Sequence, residues 1–215
     1  MNLMFQKQIA LSFIGAGLAS AAAYALALRP WFLRWGATAA ELSKSLPGDL
    51  SVTQATSTAT RAITIQAPPE RVWPWIVQIG QERGGLYSYA WLENLVGCEI
   101  VNAETIHPEW QDLKPGDTVR LHPKMPGIPV TIVEKNHALV LGGNGIPEQH
   151  IPAMSWAFVL EPVSGNATRL LIRWRSQIPN AVFDLVVNKY LLEPIHFTME
   201  RKMMLGIRER VERRA

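Results

Sequence analysis

The chain has 215 residues and a formal net charge of +3, room for one domain with a sizeable core plus an appendage. Only 18% of its residues are charged, below the roughly one quarter of ordinary globular domains, and its mean hydropathy is +0.04. Six Lys/Arg and three Glu between Glu200 and Ala215 account for the whole net charge. The rest of the chain is balanced and offers no basic face to nucleic acid, and the single cysteine, Cys98, excludes an intrachain disulfide.

The first predicted element is a transmembrane helix. Residues 9–28 read IALSFIGAGLASAAAYALAL, without a charge. At ~1.5 Å per residue such a helix spans ~30 Å, the thickness of the hydrocarbon layer. Lys7 precedes the run, and Arg29, Trp31, Arg34 and Trp35 follow it as basic and aromatic anchors would. The rival is a signal peptide cleaved at Ala25-Leu26-Ala27; the long apolar run and the single preceding lysine favour a retained anchor. The positive charges after the span favour a cytoplasmic domain, and one cysteine fits a reducing compartment. The expectation is an integral, single-pass membrane protein with residues 1–29 as its anchor. The basic tail reads as a solvated helix end with cations at its C-terminus, the alternative being a contact with anionic lipid headgroups.

Residues 30–58 read as a linker with a possible short helix, begun by Thr38 with Glu41 in capping-box spacing and ended by Leu46-Pro47-Gly48-Asp49. The globular domain is expected over 59–215. Residues 61–67 (RAITIQA) alternate as a strand does. Residues 71–79 and 87–96 read as two short helices separated by Gly84-Gly85. Strands follow at 118–122, 128–134, 138–141, 155–163 and 168–177, the last two joined by Ser164-Gly165-Asn166. A helix over 181–214, kinked at Pro194, closes the chain, with Val182, Leu185, Val186, Tyr190, Met199, Met203 and Ile207 at roughly helical spacing. This order predicts an α+β domain in which an antiparallel, curved sheet wraps the long C-terminal helix.

The local words carry a resemblance. TRAITIQAPPERVWPWIVQIG (60–80), RGGLYSYAWLENLVG (83–97), HPEWQDLKPGD (107–117) and EPIHFTMERKMMLGI (193–207), with WGAT (35–38) and LPGD (46–49), resemble an uncharacterised bacterial branch of the START-like, or SRPBCC, superfamily. Its polyketide cyclase/dehydrase-like members share this strand and helix order. The resemblance covers about residues 35–214. It implies a helix-grip fold and a cavity for a small hydrophobic or amphipathic ligand between sheet and helix. A cyclase- or dehydratase-like enzyme, or a non-catalytic interaction domain with a filled core, are the alternatives it leaves.

The chemistry is sparse. Histidines 107, 122, 137, 150 and 196 form no His/His or His/Cys pair at ligand spacing, so no metal is expected. No phosphate loop or dinucleotide fingerprint appears, so no cofactor is expected. Cys98 follows a helix C-terminus, where a thiolate is disfavoured. Arg83, Tyr87, Glu93, His107 and His122 are the groups available for acid–base work, and spacing selects none as catalytic. The expected ligand site joins Arg83, Tyr87, Trp91 and Glu93 of the helical hairpin to Trp156 and Trp174, with Tyr87 and Trp91 four residues apart on one helical face and Arg83 paired with Glu93 at the helix edge. Alternation puts those two tryptophans on the sheet face toward the long helix, with Arg173 and Arg175 opposite.

Overall fold

The structure is a computed structural model that describes residue 12 and residues 15–17, 19–145 and 153–213. Six strands form one antiparallel sheet: β1 (Ser57–Ile65), β2 (Thr118–Val119), β3 (Ile128–Glu134), β4 (Ala138–Gly143), β5 (Met154–Val163) and β6 (Ala167–Ser176). Their spatial order is β1-β6-β5-β4-β3-β2, so the first strand closes one edge beside the last. The hairpin β5–β6 pairs Trp156 with Trp174 and Phe158 with Ile172. Strand β1 continues that register, Arg61 opposite Ile172. A period of two therefore sends Arg61, Ile63, Ile65, Trp156, Phe158, Leu160, Leu170, Ile172 and Trp174 to one face.

That face is covered by helix. The C-terminal helix begins at Ala181–Phe183 (α5), runs as a wide π-helix through Asp184–Leu192, and continues as Glu193–Glu212 (α6). Met203, Met204, Ile207 and Val211 of α6 pack with Phe158, Leu160, Leu170 and Ile172. A second helix, Pro69–Val77 (α3), adds Val72, Trp73, Trp75, Ile76 and Val77 to the same core. Each such side chain, once buried, contributes about 1.5–3 kcal/mol. The result is an α+β helix grip: an antiparallel sheet with the C-terminal helix laid on it.

The other face is covered by the chain before β1. Thr38 and Glu41 do form a capping box on a short helix, Ala39–Ser43 (α2). Leu46 packs with Ala62, Ala138, Val159 and Leu171. Arg173 faces this side, as alternation requires. It donates to the carbonyls of Glu41, Leu42 and Lys44 and to the Asp49 carboxylate. Arg169 forks onto Glu41, a hydrogen bond that, against the opposing effect of burial, helps hold the Glu41 carboxyl down to about 2.

The first half of the C-terminal helix departs from the sequence expectation. Val182, Leu185, Val186 and Tyr190 are exposed, whereas Met203 and Ile207 are buried. Leu185, Val186 and Tyr190 lie within nine residues of π-helix, and Val182 just before it. Its wider turn breaks the 3.6-residue phase, so the apolar residues up to its end do not share a face with those of α6. The wide turn ends just before Pro194, which has no N–H to give and crowds the preceding turn. The N-terminal helix repeats the pattern. A π-turn at Tyr24–Leu28 precedes Pro30 in the next helix, Arg29–Leu33 (labelled α1).

The two junctions lie side by side. Tyr24 donates its hydroxyl to the Lys189 carbonyl and stacks on Tyr190 at 4.9 Å. Arg29 forks onto Glu193 at 2.8 and 3.0 Å.

The expectation of a single-pass membrane protein with a cytoplasmic domain is corrected here. Among the described residues no helix is long and apolar enough to cross a membrane. Of the run 9–28, residues 9–11, 13, 14 and 18 lie outside the described residues. Three of the side chains read as interfacial anchors meet the C-terminal helix instead. Trp31 sits edge-on to Phe197 at 5.2 Å, Trp35 lies under the Arg201 guanidinium, and Arg29 is paired with Glu193.

Candidate functional site

Two places on this scaffold gather chemistry. The first lies between the sheet and α6. Arg61 is fully buried and pairs with Glu200, itself 3% exposed. The Arg61 Nε donates to the Phe32 carbonyl at 2.8 Å, while Nη2 is buried without a partner. Trp156 donates its indole N–H to Glu200 Oε1 at 2.8 Å, and His196 Nε2 lies 3.4 Å from the same oxygen. The His196 ring rests on Trp174 at 4.6 Å. Burial pushes the Glu200 carboxyl up, but the charge and hydrogen bond of Arg61, with the His196 ring beside it, outweigh it and bring it down to about 2. Glu200 is therefore a fixed carboxylate, suited to orienting a partner rather than shuttling a proton.

The second place is the hairpin. Helix α3 ends at Val77, and the chain turns through Gly80 and Gly85, which bridge each other. Gly85 has φ +73, a conformation glycine adopts without strain. Asn102 secures the turn: its Oδ1 accepts from the Leu86 and Tyr87 amides, and its Nδ2 donates to the Ser88 carbonyl. A depression of about 300 Å³ opens beside it, lined by the stretch 80–83, Gly85, Glu99, Ile100, Val101 and Pro123. That volume stands at the lower end of small-molecule sites, roughly 300–1,000 Å³. Two lining side chains carry unsatisfied buried atoms, Gln81 Oε1 and Arg83 Nε. Glu82 and Glu99 line it too, both with left-handed backbone (φ 63 and 55), a strain that collects at functional sites.

The structure divides the six residues expected to share one cavity. Trp156 and Trp174 are neighbours, ring centroids 6.0 Å apart, at the Arg61–Glu200 cluster. Arg83 lies at the hairpin depression, its Nη2 donating to the Val77 and Trp110 carbonyls. Burial lowers its pKa. Tyr87 is 1% exposed, packed edge-on to Trp75 and under the Arg210 guanidinium. Burial pushes its hydroxyl well above the usual phenol range.

The second hairpin helix is shorter than expected, Ala90–Leu95 (α4), and Tyr87 precedes it with φ 52. Tyr87 and Trp91 therefore share no helical face, and Trp91 is 65% exposed. Glu93 is buried, with neither carboxylate oxygen partnered, and burial raises its pKa to about 7. It does not pair with Arg83. Its charge and burial together raise the Cys98 thiol, with burial the larger cause.

Sequence reasoning passed over Arg61, Glu200, His196 and Gln81. One signal was present for the first. Arg61, Ile63 and Ile65 alternate on one face, so a charge stood where the core was predicted. His196 and Glu200 are four residues apart on one helix, which also brings them together. Nothing in the sequence marked Gln81.

No protein-family model matches the chain, and no curated protein matches it. Among solved structures it is similar to protein MLL2253 from Mesorhizobium loti, at 16% identity and a TM-score of 0.42 over 73% of this chain and 98% of that one. It is similar to CalC, a self-sacrificing resistance protein from Micromonospora echinospora, at 8% identity and a TM-score of 0.44 over 74% and 96%. It is also similar to PFC0360w, an HSP90 activator from Plasmodium falciparum, at 15% identity and a TM-score of 0.39 over 65% and 91%.

Proposed function

We propose that this chain is a binding domain for a small amphipathic molecule, held at the hairpin depression. The observation that carries the reading is a pair of unsatisfied buried atoms among side chains that line one opening, the Gln81 Oε1 acceptor and the Arg83 Nε–H donor. A buried polar atom without a partner costs about 1–3 kcal/mol. A ligand that offers a donor and an acceptor together, as a primary amide does, relieves both. Ile100, Val101 and Pro123 give its apolar part a wall. Trp91 and Glu93 stand on the neighbouring helix α4 as the rim in this reading, and Tyr87 as the packed support behind it.

The test is titration of the purified chain with a medium-chain fatty amide, read by native mass spectrometry and calorimetry. Gln81→Leu and Arg83→Met are expected to weaken binding at least tenfold. Gln81→Leu, which removes no hydrogen bond made by that side chain, is expected to keep the melting temperature. Equal binding by both variants sinks the reading.

A second reading is supported by the buried, unpartnered Nη2 of Arg61. Here the ligand sits between the sheet and α6, its carbonyl or carboxylate toward Arg61 and its body against Trp156 and Trp174. The same titration separates the two. Binding that survives Gln81→Leu but falls with Trp174→Ala favours the interior.

A further inference from the structure

Between Ala181 and Ile195 every charged side chain is paired, and the two carboxylates are buried. Asp184 is buried, bonded to Asn188 and Lys189. Glu193 is buried under Arg29 and Ser57. What remains outside is apolar. Val182, Leu185, Val186, Leu191 and Ile195 are 48–72% exposed, and Leu26 of the adjoining N-terminal helix is 80% exposed.

Among the described residues, eleven large apolar side chains of these two helices are at least 43% exposed. At on the order of 150 Å² for a bare apolar side chain, they present roughly 900 Å². The largest apolar patch of a monomer is about 300–600 Å². A standard protein interface takes about 800 Å² from each partner. Polar residues in and apolar residues out is the reverse of a helix that faces water.

We propose that residues 181–195 and 24–33 form the two-fold interface of a homodimer. The face has the area a stable dimer needs. Its cations, Arg29 and Lys189, are each paired with a carboxylate of the same chain, so placing it against its own copy brings no unpaired like charges together, as an isologous contact requires. A lipid surface fits it less well. A helix lying in the headgroup layer keeps a Lys/Arg-rich polar face for it, and here Arg29 and Lys189 are both committed to carboxylates. Residues 181–195 extend only ~22 Å as a helix, short of the ~30 Å hydrocarbon layer.

Light scattering coupled to size exclusion on the full chain tests this. The expected mass is twice the 24.0 kDa of one chain. Val186→Glu and Leu191→Lys, both at exposed positions, are each expected to raise the dimer dissociation constant at least tenfold while leaving helical circular dichroism unchanged. A monomeric wild type overturns the proposal, whatever the variants do. Flotation of that monomer with phosphatidylcholine/phosphatidylglycerol vesicles would reassign the face to lipid. A dimer that both variants leave intact overturns it as well.

Discussion

Replacing Glu200 by Gln removes one charge from the most deeply buried ion pair described here and little else. The amide keeps the shape and can still accept the Trp156 indole N–H at the position of Oε1. Arg61, with no exposed surface, is left as a buried cation without its counter-ion. Breaking such a pair from one side costs about 3–5 kcal/mol. The depressed pKa of Glu200 corresponds to a similar figure. A carboxyl held at about 2 instead of 4.5 favours the charged native state by about 3 kcal/mol.

In a chain of this size each kcal/mol lowers the melting temperature by about 2–4 °C, so about 6–12 °C is expected at neutral pH. The sign with pH follows from the depressed native value. The stabilisation is complete above 4.5 and is lost as pH falls toward 2. Urea unfolding of wild type and Glu200→Gln at pH 7, 5 and 3 should therefore show a gap that narrows in acid. Arg61→Met with Glu200→Met should recover most of the loss, because apolar groups of similar volume replace the pair. A melting temperature within ~2 °C of wild type at pH 7, or a gap of the same size at pH 3, refutes the reasoning.

Three further outcomes are expected. Gly206→Ala places a Cβ 2.4 Å from the Tyr87 carbonyl oxygen; thermal melts should show a loss of about 1–3 kcal/mol as α6 and the hairpin are forced apart. Glu93→Gln should raise the melting temperature at pH 8 and leave it unchanged near pH 4, because a native pKa raised to about 7 makes the wild type lose stability as pH rises from 4.5 to 7. Arg173→Met removes the donors that hold the carbonyls of Glu41, Leu42 and Lys44; limited proteolysis should then cut within residues 36–56 while the sheet core stays resistant.

Much of the fold was legible because it rests on short-range pattern. Alternation placed strands β3, β5 and β6 and put Trp156 and Trp174 on the helix-facing side, since a period of two allows no other choice. Thr38 and Glu41 announced their helix because a capping box closes within four residues. The strand and helix order contained the helix grip for the same reason.

Other features were decided only in three dimensions. Whether Arg83 met Glu93 depended on where two glycines and Asn102 sent the chain. Glu93 found no partner, and Tyr87 took a left-handed backbone outside any helix. The burial of Arg61 was set by Glu200, 139 residues away. The outward face of residues 181–195 came from a π-helical stretch that changes the angular phase without changing composition. An apolar run such as 9–28 reports hydrophobicity, not what covers it. The packing of Tyr24 and Arg29 on Lys189 and Glu193 is a contact between opposite ends of the chain, beyond the reach of any local window.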